Sequence, residues 1–297
     1  MARTGLKERL FDRVFFVDGA MGTQLIEAGA PAGCCSELLN IEQPDIVKRV
    51  HQKYIDAGVD AIITNTFGAN RLTLKRHRLG DRATELNTAA AKLAREVAGE
   101  DRYVLGDLGP CGDFLEPLGP IKEVNLKAAF AEQAQSLLSG GVDGFIIETM
   151  TALDEIKVAV EAVRIVSDVP ILVSLAYDPA GDAARTMMGV SPEQAAEELA
   201  RLGITALGFN CGTLDMDGYV ALAKAYETAL DGAGVLLLAE PNAGRPDLQD
   251  GKAVYSLSAE DFAQSLMQIK AVGATVLGGC CGTSPAHLEA AVKAIQG

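Results

Sequence analysis

Short apolar runs alternate with longer stretches of helical spacing along the whole chain. The runs 14–17, 59–63, 103–105, 142–147, 170–175, 204–209, 235–239 and 275–277 are each a few residues long and apolar at successive positions. A strand apolar on both faces is buried on both, as in a parallel sheet. Between the runs, apolar residues recur three and four positions apart, the spacing of one helix face. In 44–57 this places Ile46, Val47, Val50, Tyr54 and Ile55 on one side. Similar stretches follow at 82–98, 126–138, 152–166, 191–202, 217–230 and 258–271, and from Ser284 to the end of the chain. Ser191-Pro192-Glu193-Gln194 is a helix start, with a capping serine, a first-turn proline and a glutamine to close the box.

Eight strand–helix units in 297 residues predict a (β/α)8 barrel. An open doubly wound sheet is less well supported. Asp18-Gly-Ala-Met-Gly-Thr23 has two glycines after the first strand, at the wrong spacing for a dinucleotide fingerprint. No proline-, glycine- or serine-rich linker and no charge block interrupts the pattern, so one barrel domain is expected over 1–297.

The formal net charge of −14 and the absence of tryptophan argue against a nucleic-acid partner, which would repel the first and need stacking surfaces. No run is long enough for a bilayer, and the N-terminus lacks a signal-peptide core, so a cytoplasmic protein without a membrane partner is expected. The six cysteines include no CxxC pair. In a reducing compartment, clustered cysteines point to metal ligands, catalytic groups or buried small side chains.

In a (β/α)8 barrel the residues just past each strand converge on one rim, where active sites lie. Here they include Asp18, Asn65, Asp107, Glu148, Tyr177, Cys211, Asn242, Cys280 and Cys281. Cys211 ends the sixth strand and Cys280-Cys281 end the eighth, among Gly278, Gly279 and Gly282, which let the backbone turn both thiols to one point. Three thiols so placed suit one zinc ion with an open fourth position. The alternative is three buried thiols without metal. Three thiolates make zinc a poor generator of hydroxide, whereas an entering thiol would lose its proton and stay nucleophilic. Asp18 and Glu148 can accept from an ammonium, or be ordinary loop acids. The amides of 19–23 can cradle a carboxylate, or form only a tight turn. Together these features describe a small amino acid bearing a thiol.

Asp18-Gly-Ala-Met-Gly-Thr23, Thr64-Asn-Thr-Phe67, Glu148-Thr149, Asn210-Cys-Gly212 and Gly278-Gly-Cys-Cys-Gly-Thr283 resemble the homocysteine-binding zinc methyltransferase family. That family includes the homocysteine module of cobalamin-dependent methionine synthase and the one-component homocysteine S-methyltransferases. The resemblance implies zinc on Cys211, Cys280 and Cys281, and homocysteine sulfur as fourth ligand and methyl acceptor. It places Asp18, Glu148 and the Asn65 segment at the substrate, with the backbone of Gly19, Met21, Gly22 and Thr23 at the substrate carboxylate. It puts Asn242 near zinc, able to fill the open position before substrate binds.

The resemblance leaves the methyl donor open. The betaine enzymes carry an extra C-terminal segment, and this chain stops after the eighth helix. A methyl-corrinoid (methylcobalamin) partner protein or domain is therefore the expected donor. A one-component S-methylmethionine- or betaine-type enzyme is the alternative. A zinc-thiolate barrel that binds a thiol or senses oxidation without turnover is the rival from another class. His51, His77 and His287 are read as surface residues, Cys34, Cys35 and Cys111 as non-ligands, and Met187 and Met188 as packing or donor-side residues.

Overall fold

The computed structural model describes residues 3–31, 33–181, 183–249 and 252–297. Eight strands form one parallel sheet: β1 (Phe15–Phe16), β2 (Ala61–Ile63), β3 (Tyr103–Leu108), β4 (Gly144–Met150), β5 (Ile171–Leu175), β6 (Ala206–Asn210), β7 (Leu236–Glu240) and β8 (Val276–Leu277). From β2 to β8 each strand is hydrogen-bonded to the next in sequence, and β1 pairs with β8, so β1 and β2 are the two ends of the sheet. The seam between β1 and β2 is joined by Asp60 N–H to Phe16 O at 2.8 Å. Two carboxylates fasten it further. Asp60 accepts from Phe16 N–H at 2.9 Å, and Asp18 accepts from Ile63 N–H at 3.1 Å. The result is the nearly closed (β/α)8 barrel that the apolar alternation predicts.

The eight principal helices are α1 (Pro44–Asp56), α2 (Ala83–Ala98), α3 (Glu123–Gly140), α4 (Leu153–Val166), α5 (Pro192–Leu199), α6 (Met216–Ala229), α7 (Ala259–Val272) and α8 (Pro285–Gln296). The start signals act as expected. Ser191 and Gln194 form a capping box on α5, and Ser258 caps α7. Outward strand residues such as Val104, Phe145, Ile147, Leu207 and Phe209 pack against these helices in the main apolar layer. Inward residues, among them Phe15, Val17, Ala61, Leu105, Ile146, Leu172 and Leu238, fill the lumen. A short helix, Leu6–Asp12, closes the lower end by adding Leu6 and Leu10 to that inner cluster. Its Arg9 pairs with Asp60 at 2.7 Å, which ties the plug to the seam.

The structure adds elements that strand periodicity does not reveal. A helix, Met21–Glu27, follows β1 directly, where only a turn was expected. Antiparallel hairpins, Asp178–Ala180 with Ala183–Arg185 and Asp247–Gln249 with Lys252–Val254, stand in the loops after β5 and β7. His51 is corrected from surface to core, being wholly buried on α1. Val47, Val50, His51 and Tyr54 follow the i, i+3, i+4, i+7 rule, so the helix period itself turns the imidazole inward. Burial lowers its pKa to about 4, and neither ring nitrogen has a partner. His287 is half-buried and bonded to Ser284 at 2.8 Å, so it belongs to the α8 cap. His77 is exposed.

Candidate metal and substrate site

Side chains alternate along a strand, so each inward row rises from the apolar lumen to the C-terminal rim. On β3 the row runs Tyr103, Leu105, Asp107; on β4, Ile146 then Glu148; on β6, Ala206, Gly208, Asn210; on β7, Leu238 then Glu240. The same parity that fills the barrel with hydrocarbon delivers three carboxylates and an amide to its upper layer. Asp18 joins them from the end of β1. Gly208 has to be glycine, because a Cβ there would meet Leu238 O at 1.7 Å.

Asp18, Asp107 and Glu240 are buried beside the partly exposed Glu148, whose charge raises the pKa of the other three. Burial, then the Glu148 charge, raises Asp107. Burial, then Glu148 and Asp18, raises Glu240. Burial raises Asp18, against the Ile63 N–H that favours its ionised form. Glu148 is pushed up to about 7, by burial first and by Cys281 second. Such a cluster favours a cation.

The thiols stand beside these acids, with the Asn210 amide reaching both Glu148 Oε2 and Cys280 Sγ. The ligand atoms of Cys211, Cys280 and Cys281 lie within 4.8 Å of one another. Cys211 Sγ is 3.8 Å from Cys281 Sγ, which is 4.0 Å from Cys280 Sγ. Two sulfurs each about 2.3 Å from a tetrahedral ion stand roughly 3.8 Å apart, so the spacing fits zinc–thiolate bonds. Hydrogen bonds from Cys211, then Cys280, hold the Cys281 thiol down at about 3, and the Tyr255 hydroxyl adds to them. The three residues can therefore hold a metal ion.

The backbone is shaped for this placement. Cys211 has φ +53° and Gly212 φ +79°. Tyr219 donates its hydroxyl to Cys211 O at 2.6 Å, and Asn242 donates to Gly212 O at 2.8 Å. In the other turn, Cys280 N–H donates to Pro241 O at 2.9 Å and Ala243 N–H to Cys281 O at 3.0 Å. The loop after β7 thus buttresses both thiol turns. Asn242 Oδ1 is buried without a partner beside them.

Acids and thiols line one cavity of about 400 Å³. Asp18, Gly19, Met21, Gly22, Thr23, Asn65, Glu148, Cys211, Cys280 and Cys281 all line it. Residues 19–23 are the first turn of the Met21–Glu27 helix and its approach. Thr23 Oγ1 is buried there without a partner. Gly19 is confined, because a Cβ would meet Thr283 Oγ1 at 2.6 Å. The Asn65 amide already donates to Ser36 O at 2.7 Å and to Asn40 Oδ1 at 3.2 Å, so it shapes the wall. Asn242 lies behind Gly212 and outside the cavity lining. Cys35 and Cys111 bond to Glu37 and to Asp113 O, each at 3.1 Å, and Cys34 is exposed; all three stand apart from the thiol cluster. Met187 and Met188 are exposed.

Three site residues went unassigned from sequence. Asn210 is fully buried and joins Glu148, Thr149, Ser174 and Cys280 through its amide. Inward parity on β6 would have found it. The same parity on β7 leads from Leu238 to Glu240. Tyr255 lies over the Cys281 turn, where a Cβ on Gly282 would meet its ring at 2.2 Å. It follows a hairpin and has no local signal.

Three converging thiols and a carboxylate-lined cavity at its rim make this a (β/α)8 barrel able to hold a metal ion on cysteines. The chain belongs to the homocysteine S-methyltransferase family, whose model matches residues 15–295. It is 33% identical over 310 residues to the methionine synthase of Mycobacterium tuberculosis, a match that covers 98% of this chain and 25% of the relative. It is 32% identical to the methionine synthase of Mycobacterium leprae, with the same coverage. The chain thus spans a quarter of the length of these relatives. The metallated form of the homocysteine methyltransferase MmuM from Escherichia coli superposes with a TM-score of 0.77 at 22% identity, over 95% of this chain and 96% of that one. At that identity the match speaks for the fold. Among the described residues no helix is long and apolar enough to cross a membrane.

Proposed function

We propose that residues 1–297 act as one barrel that methylates homocysteine to methionine, using zinc held by Cys211, Cys280 and Cys281. The observation that carries this reading is the juxtaposition in one cavity of a three-thiol cluster and buried carboxylates. Bound zinc would keep the substrate thiol ionised at neutral pH. The protein's part is orientation and exclusion of water. Asp18 and Glu148 receive the substrate ammonium. The first-turn amides at Met21, Gly22 and Thr23, beside Gly19, receive its carboxylate, and Thr23 Oγ1 is free to join them. These contacts leave the sulfur facing the cysteines. Asn242 Oδ1 is the candidate to fill the open position when substrate is absent.

In the reaction the sulfur lone pair forms the new S–CH3 bond, and the donor keeps the electron pair of the bond it loses. The thiol proton goes to solvent when the thiol ionises. No side chain has to act as a general base. We infer a methyl-corrinoid on another domain or protein as the donor, delivered at the open mouth of the cavity. The family membership and the relatives named methionine synthase support a methionine-forming reaction.

The test is methionine formation by zinc-loaded protein from homocysteine with methylcobalamin, S-methylmethionine or betaine. Turnover with methylcobalamin supports the reading in full. Turnover with another donor keeps the reaction and replaces the corrinoid. No turnover with any of them, together with zinc lost reversibly on oxidation by peroxide, would replace the enzyme with a redox-responsive thiolate barrel.

A further inference from the structure

Three carboxylates line the cavity beside the three thiols, and among the described residues no lysine, arginine or histidine does. Two of the three are partly committed within the protein. Asp18 Oδ2 accepts from the Ile63 N–H across the barrel seam. Glu148 gives Oε2 to the Asn210 amide. Asp107 differs from both. Its main chain is fixed on either side, the N–H donating to Thr64 Oγ1 at 3.0 Å and the carbonyl accepting from Thr66 Oγ1 at 2.9 Å and Gln133 Nε2 at 3.1 Å. Asp107 is 3% exposed as a residue, and its Oδ1 is buried with no partner. A buried carboxylate without a partner is strongly unfavourable, so its retention calls for a partner that arrives from outside.

An ammonium has three N–H donors. Asp18, Asp107 and Glu148 approach the cavity from β1, β3 and β4, and Asp18 Oδ1 is also unpartnered. Three acceptors on three strands match the three donors. We propose that Asp107 is a specificity-determining residue that receives the substrate ammonium and makes the site reject thiols that lack one. The proposal rests on the reading above, in which a thiol amino acid enters with its sulfur at the cysteines.

The experiment is calorimetric binding of homocysteine, and of 4-mercaptobutanoate as the same thiol acid without its amino group, to zinc-loaded wild type and Asp107→Asn. Asparagine keeps the shape and removes the charge. The variant is expected to lose about 10- to 100-fold in homocysteine affinity, the range for a charged hydrogen bond, with no loss for the deaminated probe. Asp107→Ala should show the same selective loss. Unchanged homocysteine affinity, or an equal loss for both probes, would overturn the assignment. Wild type that binds neither probe would instead remove the thiol-site reading on which it rests.

Discussion

The Asn210 amide donates to Glu148 Oε2 across 3.2 Å, and so holds a carboxylate of the cavity from the residue next to a thiol. Its other contacts make it a hub. Nδ2 also reaches Thr149 Oγ1 at 2.7 Å and Cys280 Sγ at 3.5 Å, while Oδ1 accepts from Thr149 N–H and Ser174 Oγ, each at 2.8 Å. Thr149 has φ +59°, where the β4–β5 register shifts, and the hub holds that strained turn. Asn210→Ala leaves several buried groups unpaired and should cost about 3 kcal/mol of stability. Urea unfolding measures it; a loss below about 1 kcal/mol would mean the network is not cooperative.

Cys211→Ser replaces a soft ligand by a hydroxyl of similar size. Outer-shell changes cost about 10- to 100-fold in metal affinity, so loss of a ligand itself should cost more than about 100-fold. The barrel should stay folded, since Cys211 is only half-buried and on a loop. Competition with a chelator gives the affinity, and circular dichroism checks the fold. Metal retained at wild-type affinity would take Cys211 out of the site.

Gly212 and Gly282 share a φ of +79°, yet substitution by alanine should not cost them equally. A Cβ at 212 would meet the Tyr177 carbonyl oxygen at 1.9 Å, which is main chain beside β5 and cannot give way. A Cβ at 282 would meet Tyr255 Cγ at 2.2 Å and Cβ at 2.3 Å, the root of that side chain, so relief there takes a shift of the half-buried loop that carries Tyr255. Gly212→Ala should cost roughly 2 kcal/mol or more, and Gly282→Ala less, because a loop can shift more readily than the main chain beside β5, though still above the ~1 kcal/mol of the backbone strain alone. Gly282→Ala should also lift Tyr255 off Cys281 and weaken metal binding. Equal costs in thermal unfolding would show that the clash is absorbed at Gly212 as well.

The barrel was legible because each strand is apolar at successive positions and each helix shows its own period. The thiol cluster was legible because glycine-flanked cysteines end strands six and eight. What escaped is equally physical. The Met21–Glu27 helix is only seven residues long and has no side-chain cap. The hairpin at 178–185 is half-exposed and lacks clean alternation. Asn210 and Glu240 stand one residue past the apolar runs that mark β6 and β7 in the sequence, yet both strands extend to carry them inward. His51 stands away from the strand ends, which suggests a surface residue, but it falls on the Val47–Val50–Tyr54 stripe, and the helix period turns it into the core.

His51 gives the pH prediction. In the unfolded chain its imidazole takes up a proton near 6.5, and in the folded protein only near 4. Between those values the unfolded state binds more protons, so stability rises with pH. The contribution is complete above about 6.5 and is lost as the pH falls toward 4, for a span of about 3 kcal/mol at most. The buried acids act in the opposite sense. Their folded pKa values are raised, so their contribution is present at low pH and is lost as pH rises, through about 7 for Glu148. The wild-type profile mixes the two, and His51→Leu separates them. Leucine fills the apolar stripe with no group to protonate, so the variant should be as stable as wild type or more so above pH 7. It should also gain on wild type steadily below pH 6. Denaturant unfolding of both proteins from pH 4 to pH 8 measures that difference, and parallel curves would show that His51 finds a partner that stabilises its charged form.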